Sequence, residues 1–146
     1  DASIGDFPSL RTAGSMWIDS TQDCVLDELS FPALESVAGT FAIYDVFCID
    51  TLEAPLLTET GDFYLHNVDD LDSSDGFGAL TTVNGSFTLY YNQDLADLSG
   101  FAAVTYIGDN FNAAYNSGFS DDEARTLAES IPTIGGDINI YGNSGR

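Results

Sequence analysis

Phe31-Pro32-Ala33-Leu34-Glu35-Ser36-Val37-Ala38-Gly39-Thr40-Phe41-Ala42-Ile43-Tyr44 is the stretch that decides the fold, because it is not unique within the chain. Its opening Phe-Pro-x-Leu recurs as Phe7-Pro8-Ser9-Leu10, Ala54-Pro55-Leu56-Leu57, Phe77-Gly78-Ala79-Leu80 and Phe101-Ala102-Ala103-Val104. The spacing between successive copies is 24, 23, 23 and 24 residues. A small or turn residue follows each copy (Gly14, Gly39, Gly61, Gly85, Asp109), and then a short alternating segment. A sixth such segment, Asp137-Ile138-Asn139-Ile140-Tyr141, follows Gly135-Gly136. A fixed period of this length marks a repeat architecture, in which each unit buries its apolar face only by stacking on its neighbours.

Strict alternation predicts strands with one buried face. The inward pairs are Met16 and Ile18, Phe41 and Ile43, Phe63 and Leu65, Phe87 and Leu89, Phe111 and Ala113, Ile138 and Ile140. Stacking at about 4.8 Å places Phe41, Phe63, Phe87 and Phe111 in one core column. After each strand a polar turn leads to a second apolar pair, Leu26/Leu29, Ile49/Leu52 and Leu95/Leu98, which degrades to Leu71 and Ser74 in the third unit. The expected fold is mainly β: a right-handed parallel β-solenoid of about five to six coils, forming a single domain over residues 1–146.

One helix interrupts the final unit. Ser120-Asp121-Asp122-Glu123 reads as a capping box, with Ser120 as N-cap and Glu123 reaching back. Ala124, Leu127, Ala128 and Ile131 share one helical face, and Pro132 stops the helix, giving a span of 120–131. Its expected job is to cover the end of the stack, where unpaired strand edges invite association. The N-terminal end carries no comparable cap, which suggests a fragment of a longer surface protein.

The pattern Phe-Pro-x-Leu-x-x-Val-x-Gly-x-Phe-x-Ile-x, followed by Leu-x-x-Leu, resembles the receptor L domain. This is the leucine-rich-repeat-like β-solenoid of growth-factor receptor ectodomains. The pattern is also similar to fungal GPI-anchored cell-wall proteins and to bacterial surface proteins built from the same unit. Residues 119–143, the helix and the strand after it, look like the terminal unit of the bacterial versions. The resemblance covers residues 7–143 and implies a scaffold at a cell surface or in a secreted protein. It does not imply a growth-factor-receptor role, since flanking Cys-rich modules are absent and this chain is far more acidic.

Asp and Glu number 24 against 3 Arg and no Lys, for a formal net charge of −21 in 146 residues. Such a surface repels nucleic acid and anionic lipid. No apolar run reaches the length of a membrane span, so direct membrane insertion is not expected. Cys24 and Cys48 occupy nearly matching places in adjacent units, with Cα atoms expected roughly 6 Å apart, inside disulfide range. A bond there fits an exported protein; the alternative is two buried thiols. Two Cys and one His cannot build a structural zinc site. Asp69-Asp70-Leu71-Asp72-Ser73-Ser74-Asp75-Gly76 lacks the ligand spacing of a calcium loop and reads as a solvated turn, with weak calcium binding as the alternative. Asn84-Gly85-Ser86 is a glycosylation sequon.

Chemistry is not expected. His66 alone is no catalyst, since no Ser or Cys with an acid partner falls at a matching place in the repeat. Arg11, Arg125 and Arg146 fall outside the strands, and Asp19, Asp62 and Asp137 lie on distant units rather than as a hydrolytic pair. Of the ranks of outward Thr that an ice-binding face wants, only Thr40 and Thr88 are present. Neither catalytic nor cofactor-binding residues are therefore assigned. The informative positions point outward: Trp17, Tyr44, Tyr64, His66, Tyr90 and Tyr141 place amphipathic rings on one sheet face, suited to a protein or carbohydrate partner. The alternative is that aromatic residues simply favour strands and pair between units. The expected function is a non-enzymatic binding or adhesion module, extracellular or at a cell surface. A structural cell-wall or spacer domain with no specific ligand is the second reading.

Overall fold

Glycine and proline punctuate every unit, so the chain can make only short extended segments between bends. The computed structural model, which describes residues 4–19 and 26–146, shows them. The first unit holds β1 (Ile4–Asp6), β2 (Thr12–Ala13) and β3 (Met16–Asp19). The second holds β4 (Glu28–Ser30), β5 (Ser36–Val37) and β6 (Phe41–Val46), and the third holds β7 (Thr51–Glu53), β8 (Glu59–Thr60) and β9 (Phe63–Val68). The fourth contributes β10 (Thr82–Val83) and β11 (Phe87–Tyr90), the fifth β12 (Tyr106–Ile107) and β13 (Phe111–Ala114). Helix α1 (Asp121–Ser130) then precedes β14 (Thr133–Ile134) and β15 (Ile138–Tyr141).

Three parallel sheets collect these strands, with orders β1-β4-β7, β14-β12-β10-β8-β5-β2 and β15-β13-β11-β9-β6-β3. The fold is thus mainly β, with parallel sheets and one helix. Neighbours in every sheet come from consecutive units, and the register aligns the repeat position by position. Phe41, Phe63, Phe87 and Phe111 pair in succession, as do Ile43, Leu65, Leu89 and Ala113. In the fourth and fifth units short 3₁₀ turns, Asp75–Phe77 and Ser99–Phe101, follow a bridge between Ser73 and Asp97.

The core is a double column of phenylalanine. Phe41, Phe63, Phe87 and Phe111 stack with ring centroids 5.6, 5.2 and 5.4 Å apart. Phe77 and Phe101 stand edge-on against Phe63 and Phe87, each pair 5.0 Å apart. Both geometries suit the ring quadrupole, and each buried ring contributes about 1.5–3 kcal/mol from burial alone. Ser74 is no degraded leucine. It is buried, and its hydroxyl accepts the Gly100 N–H at 3.0 Å. At Gly100 an added Cβ would lie 1.8 Å from the Ser74 carbonyl oxygen, so only glycine allows the two backbones this close.

The helix matches its expected span, with Ser120 accepting from Glu123 N–H and Glu123 accepting from Ser120 N–H. Ala124, Leu127, Ala128 and Ile131 bury the predicted face. The terminal strands differ from expectation. Ile138 remains 49 % exposed, and Met16, Ile18 and Ile140 are only half-buried. A strand with a neighbour on one side lacks half of the side chains that would cover it. The helix packs beside β13 and β15 without sealing the last inward position.

Candidate functional site: an aromatic cleft on the outward sheet face

The sheet running from β3 to β15 turns its second face outward, and its pleat brings the predicted rings together. Trp17 and Tyr44 stack at 6.0 Å, Tyr44 and Tyr64 at 4.8 Å, and Tyr44 and His66 at 4.9 Å. Tyr64 and Tyr90 meet edge to face at 6.2 Å. On that face the rings pair between units: Tyr44 has Trp17 on the side of the first unit and Tyr64 and His66 on the side of the third, so both its faces are occupied. The stack exposes phenol edges, and the free ring surface concentrates at Trp17, which is 65 % exposed.

Beside this stack runs a cleft of about 330 Å³, bordered by Trp17, Tyr44, Tyr64 and Tyr90 and by Thr40, Asp62, Ser86, Thr88 and Asn112. Those polar residues are held by ladders from one unit to the next. Asp62 accepts the Ser86 N–H at 2.8 Å and the Thr40 hydroxyl at 3.2 Å. Asn112 donates to Thr88 at 3.1 Å and accepts from Asn139 at 2.9 Å. Burial, reinforced by a hydrogen bond with Tyr44, holds the Tyr64 phenol well above its ordinary value. Burial and a hydrogen bond with Tyr141 do the same for Tyr90. Both phenols therefore stay neutral and keep their protons for hydrogen bonding at any ordinary pH.

His66 and Tyr141 stand outside the cleft and join a second ridge that the alternation did not reveal. His66 meets Tyr91 at 5.5 Å, Tyr91 stacks on Tyr115 at 5.1 Å, and Tyr115 meets Tyr141 edge-on at 5.3 Å. His66 Nδ1 lies 3.5 Å from Asp45 Oδ1, an ion pair when the imidazole is protonated, and makes no hydrogen bond. Tyr91 and Tyr115 have φ of 57° and 58°, and Asp45, Asn67 and Gly142, at the same place in their units, are left-handed too, at 48°, 53° and 72°. The left-handed turn costs a tyrosine about 1–2 kcal/mol and swings its ring out beside the strand end.

Immediately after that turn comes a buried asparagine ladder. Asn92 accepts the Val68 N–H and donates to Asn116, and Asn116 donates to Asn143. The same amides donate inward to the carbonyls of Leu65, Leu89 and Ala113. Asp121 ends the ladder, accepting from both the backbone and the side chain of Asn143 at 2.8 and 2.7 Å. The signal was present in the sequence as Tyr91-Asn92 and Tyr115-Asn116, 24 residues apart.

Cys48 is disulfide-bonded, and Cys24, its expected partner, lies outside the described residues. The acidic stretch from Asp69 to Asp75 is tied into the next unit. The Asp72 carbonyl accepts from Ala96 and Asp97, and Asp70 N–H donates to Asp94. Among the described residues, no group of three or more carboxylate, imidazole or thiol side chains could hold a metal ion, and no helix is long and apolar enough to cross a membrane. Asn84 of the sequon is exposed and donates to Glu59 at 2.7 Å. Comparison of the chain with protein-family models, with curated proteins and with solved structures found no match.

Proposed function

We propose that the chain is a receptor L-domain-like β-solenoid that works as a non-enzymatic binding or adhesion module, secreted or at a cell surface. The reading of each 22–27-residue unit as one coil rests on the three parallel sheets, whose neighbouring strands always come from consecutive units. The binding reading rests on one observation: a cleft on the outward sheet face that combines an exposed indole, phenol edges and anchored polar side chains. An exported location is supported by the disulfide at Cys48 and by the charge of −21, which keeps a protein soluble outside the reducing cytosol. The partner is a protein or a carbohydrate.

The test is retention of cell-wall polysaccharide and of surface-protein fractions by the immobilised chain. Tyr64→Ala and Tyr90→Ala, checked for folding by circular dichroism, are expected to retain at least tenfold less. Equal retention by variants and wild type would overturn the binding role and leave the spacer reading, in which the stack supplies only length.

A further inference from the structure

The lining of the cleft says more than that something binds. It crosses five successive strands, from Trp17 on β3 to Asn112 on β13, so it is elongated along the stacking direction. Apart from Trp17, every lining residue is polar or phenolic: six hydroxyls, one amide and one carboxylate. Hydroxyls donate and accept in turn, which matches a ligand that is itself rich in hydroxyls. Among the described residues no Arg, Lys or His borders the cleft, so a carboxylated or sulfated ligand would meet no counter-charge against a net of −21. A cationic peptide would need several free carboxylates, yet among the described residues Asp62 is the only acid of the lining. Its two oxygens already accept from Ser86 N–H and the Thr40 hydroxyl. The volume of about 330 Å³ lies at the small end of ligand clefts.

We infer that the cleft takes a short stretch of neutral glycan lying along the stack, with Trp17 packed on a sugar face and the Ser86 hydroxyl, the lining phenols and the Asn112 amide bonded to sugar hydroxyls. This rests on the binding reading above and narrows it to one class of ligand. Ordering by the inter-unit ladder keeps these groups at fixed spacing, so little conformational freedom is lost on binding.

Trp17 is the sole tryptophan, so its emission reports the cleft directly. The chain is titrated with hexasaccharides of β-1,4-glucose, β-1,3-glucose, mannose and N-acetylglucosamine, with hexagalacturonate, and with hexa-arginine. The expected result is a saturable emission change with at least one neutral hexasaccharide, none with hexagalacturonate, and at least tenfold weaker binding in Asn112→Ala. Full affinity in Asn112→Ala, or an equal response to hexagalacturonate, overturns the assignment. A response to hexa-arginine alone overturns the glycan and keeps the binding module. No response to any probe by a chain that still melts cooperatively overturns the glycan assignment, while the retention experiment judges the module separately.

Discussion

The same position of the repeat is solved in two ways along the molecule. In the second and third units it holds Val46 and Val68, buried and paired as the last residues of six-residue strands. In the fourth, fifth and sixth units it holds Asn92, Asn116 and Asn143, also buried, two residues beyond the end of four-residue strands. The valines seal by burial, and the ladder of backbone bonds continues through them. The asparagines take over the backbone's role, accepting the next-door N–H and returning their own to a carbonyl. A buried amide is tolerated only when every donor and acceptor is met, so the second solution is all or nothing while the first is graded.

The largest expected effect is therefore at the centre of the amide half. Asn116→Val removes the acceptor of both the backbone and a side-chain N–H of Asn92 and leaves the Asn143 amide oxygen only the backbone N–H of residue 116, and should cost about 3–5 kcal/mol in urea unfolding. A loss under 1 kcal/mol would show that the two halves are interchangeable. Asp121→Ala, which strips the terminator from Asn143, should cost about 1–3 kcal/mol by the same measurement. Val68→Asn lengthens the amide column by one unit, with Asn92 waiting as its acceptor. We expect it to cost only about 1–2 kcal/mol, less than Asn116→Val; a larger cost would mean that the ladder cannot be extended.

The smallest effect is in pH dependence. Asp69, at the junction of the two halves, is raised above the ordinary 3.8 by burial and then by Asp70, and one of its oxygens is buried without a partner. A raised carboxyl contributes stability that is full below the unfolded value and lost as pH rises through the folded value. Asp97 is lowered by hydrogen bonds from the Ser99 hydroxyl and N–H, so its contribution is present above 3.8 and lost as pH falls through the folded value. Melting curves against pH should show Asp69→Asn flattening the loss on the rising side and Asp97→Asn flattening the loss in acid. The reverse pattern would invalidate both assignments.

The readable part of this molecule was the part that repeats one residue type. Phe41, Phe63, Phe87 and Phe111 recur in kind as well as in place, so their column followed from the period. The capping box at Ser120 marked α1 for the same reason, a local chemistry with one geometric outcome. The asparagine ladder escaped because Asn in a polar stretch reads as a turn, and its burial depends on neighbours 24 residues away. Tyr91 and Tyr115 escaped because a left-handed residue breaks the alternation that placed the other rings. Of the candidate site, Trp17, Tyr44, Tyr64 and Tyr90 were visible as outward positions. Their stacking edge-out, and the Asp62–Thr88–Asn112 border, depend on ring orientation and inter-unit bonds that no period encodes.

Asp121 carries a consequence for how such a stack can stop. Each amide in the column accepts from the unit before it and hands an unmet donor to the unit after it. Another Asn, Ser or Thr at the end would accept that donor and create a new one in turn. A carboxylate accepts without donating, so it is chemically a full stop. The helix that delivers it does so from its first turn, where negative charge is favoured by the peptide dipoles. Grafting further amide-type units between Asn116 and Asn143 should therefore lengthen the molecule without a redesigned end, as long as Asp121 and its helix travel with the last one.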